Sequence, residues 1–321
     1  MKAFVNKQYG SPEVLNQEEV CPPAPKDREI LVQVKSISIN PAEWHSLRAS
    51  IWLIRLASGL RAPRNTVLGA DIAGAVVAVG NQVTSFQPGD LVMGRAQSGG
   101  LAEYTCLPEN QATLIPSPLA PETAAATPLA SITALTALRD KGQLLAGEEV
   151  LINGASGGIG TFSVQLARLF GAEVTAVCSS SNAELVHSLG ATHTIDYTQQ
   201  DFTRTGQTYD LVIDLIGNRS VNDLNRIIKP GGRCVLVGYS NFRLTLKFIL
   251  KGGWLSKTTT KRFIVMNAKT KTEDLAYIGR LMSEQKIKPV IDRRYAFAEI
   301  PRAFDYLGTR RAKGKIVVSA P

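Results

Sequence analysis

The sequence predicts an α/β fold, in which a doubly wound parallel sheet is joined to a β-rich domain. Three observations carry this. From Glu149 onward, short apolar runs alternate with helical segments, the pattern of a parallel sheet covered on both faces. From Met1 to about Ala120 the runs are strand-like and separated by turns such as "QPGD". The chain has 321 residues, more than one ordinary core supports, so two domains are expected.

Each element follows from its pattern. "EILVQVKSISI" alternates, and "DIAGAVVAVG" is a buried-strand run punctuated by glycine. "PETAAATPLASITALTALRDKG" reads as one helix ending at Gly142. Then come the strands "VLING", "EVTAVC", "HTIDY", "YDLVIDLIG" and "GRCVLVG". The helices "GTFSVQLARLF", "NAELVHSLG" and "SVNDLNRIIKPGG" separate most of them. A sixth run, "FIVM", precedes the helix "TEDLAYIGRLMSEQK", and "KIVVS" closes the chain as a strand.

The glycine turn is the strongest chemical signal. Gly154, Gly157, Gly158 and Gly160, with Ser156 and Ile159 among them, follow a strand and open a helix. Glycines there permit close backbone approach, and the helix start offers free N–H groups to a pyrophosphate. The next strand runs into "CSSSN", with no Asp or Glu to repel a 2′-phosphate. Ser179, Ser180 and Ser181 offer hydroxyls instead. NADPH is therefore favoured, with NADH as the alternative.

Composition excludes several classes. Hydrophobic residues are 44 % and charged residues 20 %, as in a soluble globular protein. No apolar run approaches membrane-spanning length, and the first residues carry no secretory core. Four scattered cysteines without a C-x-x-C pair fit a reducing, cytoplasmic setting. The net charge of +9 is diffuse and lacks a nucleic-acid motif.

Several motifs in order resemble the medium-chain dehydrogenase/reductase superfamily, in its zinc-independent quinone oxidoreductase (zeta-crystallin-like) branch. They are "SINPAEW", "LGADIAGAVVAVG", "FQPGDLVMG", "GGLAEY", "NGASGGIG", "LGATHTIDY", "IKPGG" and "RAKGKIVVS", and they cover nearly the whole chain. The resemblance implies a GroES-like catalytic domain over 1–122, completed by 289–321. A Rossmann domain over 123–288 would interrupt it, with the site in a cleft between them. It also implies a homodimer.

Zinc relatives in this superfamily carry Cys where this chain has Asn40, and a His–Glu pair where it has Ala70 and Asp71. The expectation is therefore no metal. Of the three histidines, His187 and His193 are expected to face solvent, and His45 to lie near the cleft. Without a metal, a simple alcohol is poorly activated. Quinones and enones are already electrophilic, so a small lipophilic acceptor of that class is expected. A metal-free alcohol or aldehyde dehydrogenase, and a nucleotide-binding protein without turnover, are the alternatives.

Asn40 is the catalytic candidate at the former ligand position; its amide either meets cofactor or substrate, or forms an Asx turn. Tyr104 is the second, with packing as its other reading, and Glu43 is read as structural. By resemblance, Thr133, Tyr197, Gly238, Tyr239 and Lys313 line the cofactor pocket, and Ser181 stands where relatives often have Lys or Arg. Two apolar, basic segments, 49–65 and 242–263, read as a substrate wall or as core or dimer packing with snorkelling bases. Docking on an anionic membrane is the less favoured reading of both.

Overall fold

The computed structural model describes residues 1–49, 55–56, 58–239, 242–266 and 270–320. The segment 49–65 therefore falls partly outside the described residues. The chain divides into two units, Met1–Leu129 with Thr270–Pro321, and Ala130–Lys269.

In the first unit, β1 is Lys2–Val5, β2 Asn16–Glu19, β3 Glu29–Ile39, β4 Asp71–Val79, β5 Leu91–Arg95, β6 Tyr104–Pro108 and β7 Ala112–Leu114. Strand β3 alternates buried and partly exposed as far as Lys35 and is then buried on both faces from Ser36 to Ile39. The change coincides with the last strand of the chain, which pairs antiparallel with that stretch. The hydroxyls of Ser36 and Ser38 stay satisfied there by donating to the carbonyls of Val318 and Ile316. Ile30, Val32, Ile72, Leu101 and Phe304 meet in the core.

The second unit holds β8 (Glu149–Asn153), β9 (Glu173–Cys178), β10 (His193–Asp196), β11 (Tyr209–Asp214), β12 (Ile228–Leu236) and β13 (Arg262–Val265). All pair in parallel, in the order β10-β9-β8-β11-β12-β13. The order reverses at β8, which creates a crevice at the carboxyl ends of β8 and β11. Strands β8, β9 and β11 are nearly continuous apolar runs because helices cover both faces. The chain then returns to the first unit as β14 (Ile291–Tyr295) and β15 (Lys315–Ser319).

Three expectations are corrected. The helix expected from residue 121 to Gly142 is broken into Pro121–Ala125, Pro128–Leu135 and a wide turn over Thr136–Lys141. Pro128 causes the break, because it has no N–H to continue the ladder and restricts Thr127 before it. The helix expected through "SVNDLNRIIKPGG" ends at Arg226, and Ile228 already pairs with Tyr209. The division of units falls after Leu129 and before Thr270, not after 122 and before 289. Helix Thr272–Ser283 moves the second boundary: its Gly279 lies against Met93 and Pro116 of the first unit.

Candidate functional site

In the second unit, the turn after β8 is shaped by three glycines with different tasks. Gly154 adopts φ +89°, the left-handed region that favours glycine. A Cβ on Gly160 would stand 2.2 Å from the Gly154 carbonyl oxygen, so only hydrogen fits. Gly157 caps helix Gly158–Leu169 with extended backbone, and a Cβ there would meet only Gly154 O at 3.6 Å. The first N–H groups of that helix, including those of Gly158 and Ile159, therefore stand at an uncrowded turn at the carboxyl end of β8.

The neighbouring strand ends complete this edge. After β9, Ser179 and Ser181 share a hydroxyl contact of 3.1 Å, and Asn182 Nδ2 donates to both Ser156 Oγ and Ser179 Oγ. This ties the serine turn to the glycine turn. After β10, the Tyr197 N–H donates to Cys178 O, and its ring is exposed. After β12, the Gly238 N–H donates to Asp214 O, and the Tyr239 hydroxyl to Met266 O. At the crevice itself, Asn153 Nδ2 donates to Asp214 at 2.8 Å, and burial raises the Asp214 carboxyl above its ordinary range. Thr133 is buried in helix Pro128–Leu135 of the same unit.

One acid was missed. The serine loop contains none, but β10 sets Asp196 in register with Cys178, immediately before that loop. Its carboxylate accepts the Thr198 hydroxyl and N–H. Thr198 first, then Ser180, hold the Asp196 carboxyl below its usual range.

In the first unit, a polar cluster gathers where β3, β4 and β15 meet. Asp71, fully buried, lies opposite Ser38 at the start of β4. It accepts from Asn40 Nδ2 at 3.1 Å and from the Leu129 N–H at 3.2 Å, and Lys315 Nζ stands 3.5 Å away. Lys315 Nζ also donates to Asn40 Oδ1. Glu43, in helix Pro41–Arg48, accepts the Asn40 N–H at 2.5 Å and the Ala70 N–H at 2.6 Å. Burial raises the Asp71 carboxyl, against the pull of Lys315 and Asn40. Burial, and then repulsion from Asp71, push Glu43 up to about 7.

These contacts revise the sequence reading. Asn40 is 3 % exposed, stands at the N-cap of helix Pro41–Arg48, and has both ends of its amide engaged inside the unit. Tyr104 pairs with Gln33, seven residues before Asn40, which is roughly 23 Å of strand. The structure does not bring these two catalytic candidates together. Lys313 is exposed, with its backbone N–H on Asp292. The buried lysine is Lys315, two residues on. His187 and His193 are exposed as expected, whereas His45 is partly buried and held low by burial and Arg310.

Residues 26–117 match the model of the alcohol dehydrogenase GroES-like domain, and residues 189–318 that of a zinc-binding dehydrogenase. The 2-methylene-furan-3-one reductase of Solanum lycopersicum is 33 % identical, over 99 % of this chain and 79 % of its own. The chain belongs to the medium-chain dehydrogenase/reductase superfamily, on its quinone and enone reductase branch. The chloroplastic NADPH-dependent alkenal/one oxidoreductase of Arabidopsis thaliana is 32 % identical, over 99 % of this chain and 79 % of its own. The quinone oxidoreductase structure from Coxiella burnetii superposes with TM-score 0.87 at 28 % identity, covering 100 % of this chain and 99 % of that one. The Rossmann and GroES-like architecture is thereby that of the superfamily.

Two groups are implied by the family, and the residues treat them differently. A dinucleotide fits: the turn is open at Gly157, a 12-residue helix starts there, and the sheet order places it at the crevice. Zinc does not fit the cluster at Asn40. Asn40 offers an amide where relatives have a thiolate, Ala70 offers no donor where they have an imidazole, and Lys315 Nζ already provides the counter-charge to Asp71. Among the described residues, no three His, Cys, Asp or Glu side chains converge.

The Glu43 carboxyl makes a pH prediction. Its folded value of about 7 lies above the ordinary carboxyl value of 4.5, so between these the folded state holds the proton that the unfolded state releases. Its contribution to stability is complete below 4.5, declines as pH rises through 7, and is flat above. Melting temperatures across that range should show the decline, and Glu43→Gln should flatten it.

Proposed function

We propose that this chain reduces a quinone or another activated enone with NADPH, without a metal ion, in a reducing, cytosol-like compartment. One observation carries the cofactor half. The glycine turn stands at the reversal point of a six-stranded parallel sheet, and an unblocked helix N-terminus opens from it. When bound, the nicotinamide supplies the hydride. The N–H groups of the turn would hold the pyrophosphate, and Ser179, Ser180 and Ser181 would offer their hydroxyls to the adenosine ribose. The activities for which the relatives are named support an electrophilic carbonyl acceptor: an alkenal/one oxidoreductase and a furanone reductase are among them. The metal-free reading is supported by the donor set around Asn40. The four free cysteines support a reducing compartment. No described helix is long and apolar enough to cross a membrane.

The deciding assay follows NADPH oxidation with a quinone, a short enone and a simple aldehyde, with and without a chelator. Turnover of quinone or enone that survives chelation is expected. Turnover of the aldehyde alone, lost on chelation, would sink the proposal.

A second cofactor reading, NADH, is favoured by Asp196, whose carboxylate borders the serine loop. Ser181→Arg separates the two. A guanidinium beside a 2′-phosphate should tighten NADPH about tenfold or more and leave NADH unchanged. Asp196→Asn should shift the ratio the same way by removing a charge. Equal effects on both dinucleotides would place these residues away from the 2′ position.

A further inference from the structure

One face of the second unit is apolar, basic and uncovered. Residues 242–258 run helically through Phe242–Lys247, a wide turn at Phe248–Gly252, and Gly253–Thr258. The inner side of this run is spent on its own unit. Phe248 packs edge-on against Phe263 of β13, a Cβ on Gly252 would touch the same ring, and Ser256 Oγ receives the Phe263 N–H. The outer side carries Phe242 (59 % exposed), Leu246, Ile249, Leu250 (66 %) and Trp254 (59 %). These positions recur with helical spacing, so the exposed side chains form a stripe and not a scatter. The core-packing expectation for this segment does not hold for them.

The charge beside the stripe identifies its partner. Arg243, Lys247 and Lys251 each follow a stripe residue by one position, so they form a parallel basic flank, and Lys257 extends it. Among the described residues, no ion pair engages Lys247, Lys251 or Lys257. From 224 to 272 the sequence contains eleven Lys and Arg and no Asp or Glu. Two copies of such a face meeting about a two-fold axis would set like charges together. An anionic bilayer answers both properties: acyl chains take the apolar stripe, and lipid phosphates pair with the flank.

We propose that residues 242–258 dock this protein peripherally on anionic membranes, with Phe242, Leu246, Leu250 and Trp254 dipping into the interface. The test is flotation of the full chain with vesicles of phosphatidylcholine and phosphatidylglycerol in equal parts, against phosphatidylcholine alone. Binding to the anionic vesicles only is expected, with release at about 1 M salt, where the Debye length falls to about 3 Å. The double variant Lys247→Gln with Lys251→Gln should lower the partition coefficient about thirtyfold. Leu250→Asp should abolish binding. All three sites are exposed, so an unchanged melting temperature serves as the fold control. Equal binding to neutral vesicles would overturn the proposal. So would no flotation at all, together with a dimer in gel filtration that Leu250→Asp dissolves, because a second copy would then cover the stripe.

Discussion

Replacing Gly157 by Asp should weaken NADPH binding by roughly three decades while leaving the melting temperature unchanged or slightly higher. The local geometry separates the two effects. Gly157 has φ −80° and ψ 177°, a conformation open to any residue, and its Cβ would meet nothing closer than 3.6 Å. Asp is also a favoured N-cap, and a carboxylate opposes the positive helix end, so the fold gains a few tenths of a kcal/mol. A bound pyrophosphate would meet that same carboxylate. Two unit charges about 4 Å apart repel by about 4 kcal/mol at an effective dielectric constant near 20. Calorimetric titration with NADPH, beside a thermal melt, reads both quantities. Gly160→Ala is the contrast. Its Cβ would press on the Gly154 oxygen at 2.2 Å, so stability and binding should fall together. Unaltered NADPH affinity in the stable Gly157→Asp variant would remove the phosphate from this turn.

The contrast between these glycines also shows what a linear reading could reach. Strand, turn and helix are adjacent in sequence at 149–169, so the cradle was legible from local pattern alone. The parallel sheet was legible for a similar reason, since its buried strands are short apolar runs divided by helices. Asp196 was not. It reaches the serine loop through the pairing of β10 with β9, 18 residues after the Cys178 that it faces. The side of the sheet on which helix Thr272–Ser283 packs was equally hidden. Its apolar face declares that it packs, but its contact with Met93 and Pro116 depends on chain return. Asn40 was singled out from its local motif, but its bonds to Asp71 and Lys315 were not legible, because those partners lie 31 and 275 residues away.

Lys315→Met should cost the first unit about 3–5 kcal/mol, a fall in melting temperature of about 10 °C. A lysine at the start of an apolar strand would ordinarily be solvated, and its removal would cost little. Here Lys315 is 4 % exposed, and its Nζ reaches Asn40 Oδ1 and the carboxylate of Asp71, which is 0 % exposed. Methionine fills a similar volume, so the loss comes from the stranded charge and the unmet amide oxygen, not from a cavity. Asp71→Asn combined with Lys315→Met removes the charge on both sides. The amide can still bond Asn40 and the Leu129 N–H, so the double variant should recover at least half the loss. Additive losses in the double variant would mean that Lys315 acts by packing and that the Asp71 charge is balanced elsewhere, with Arg95 the next cation acting on it. The coupling energy from this cycle therefore measures how far the Lys315 cation balances the buried Asp71 charge.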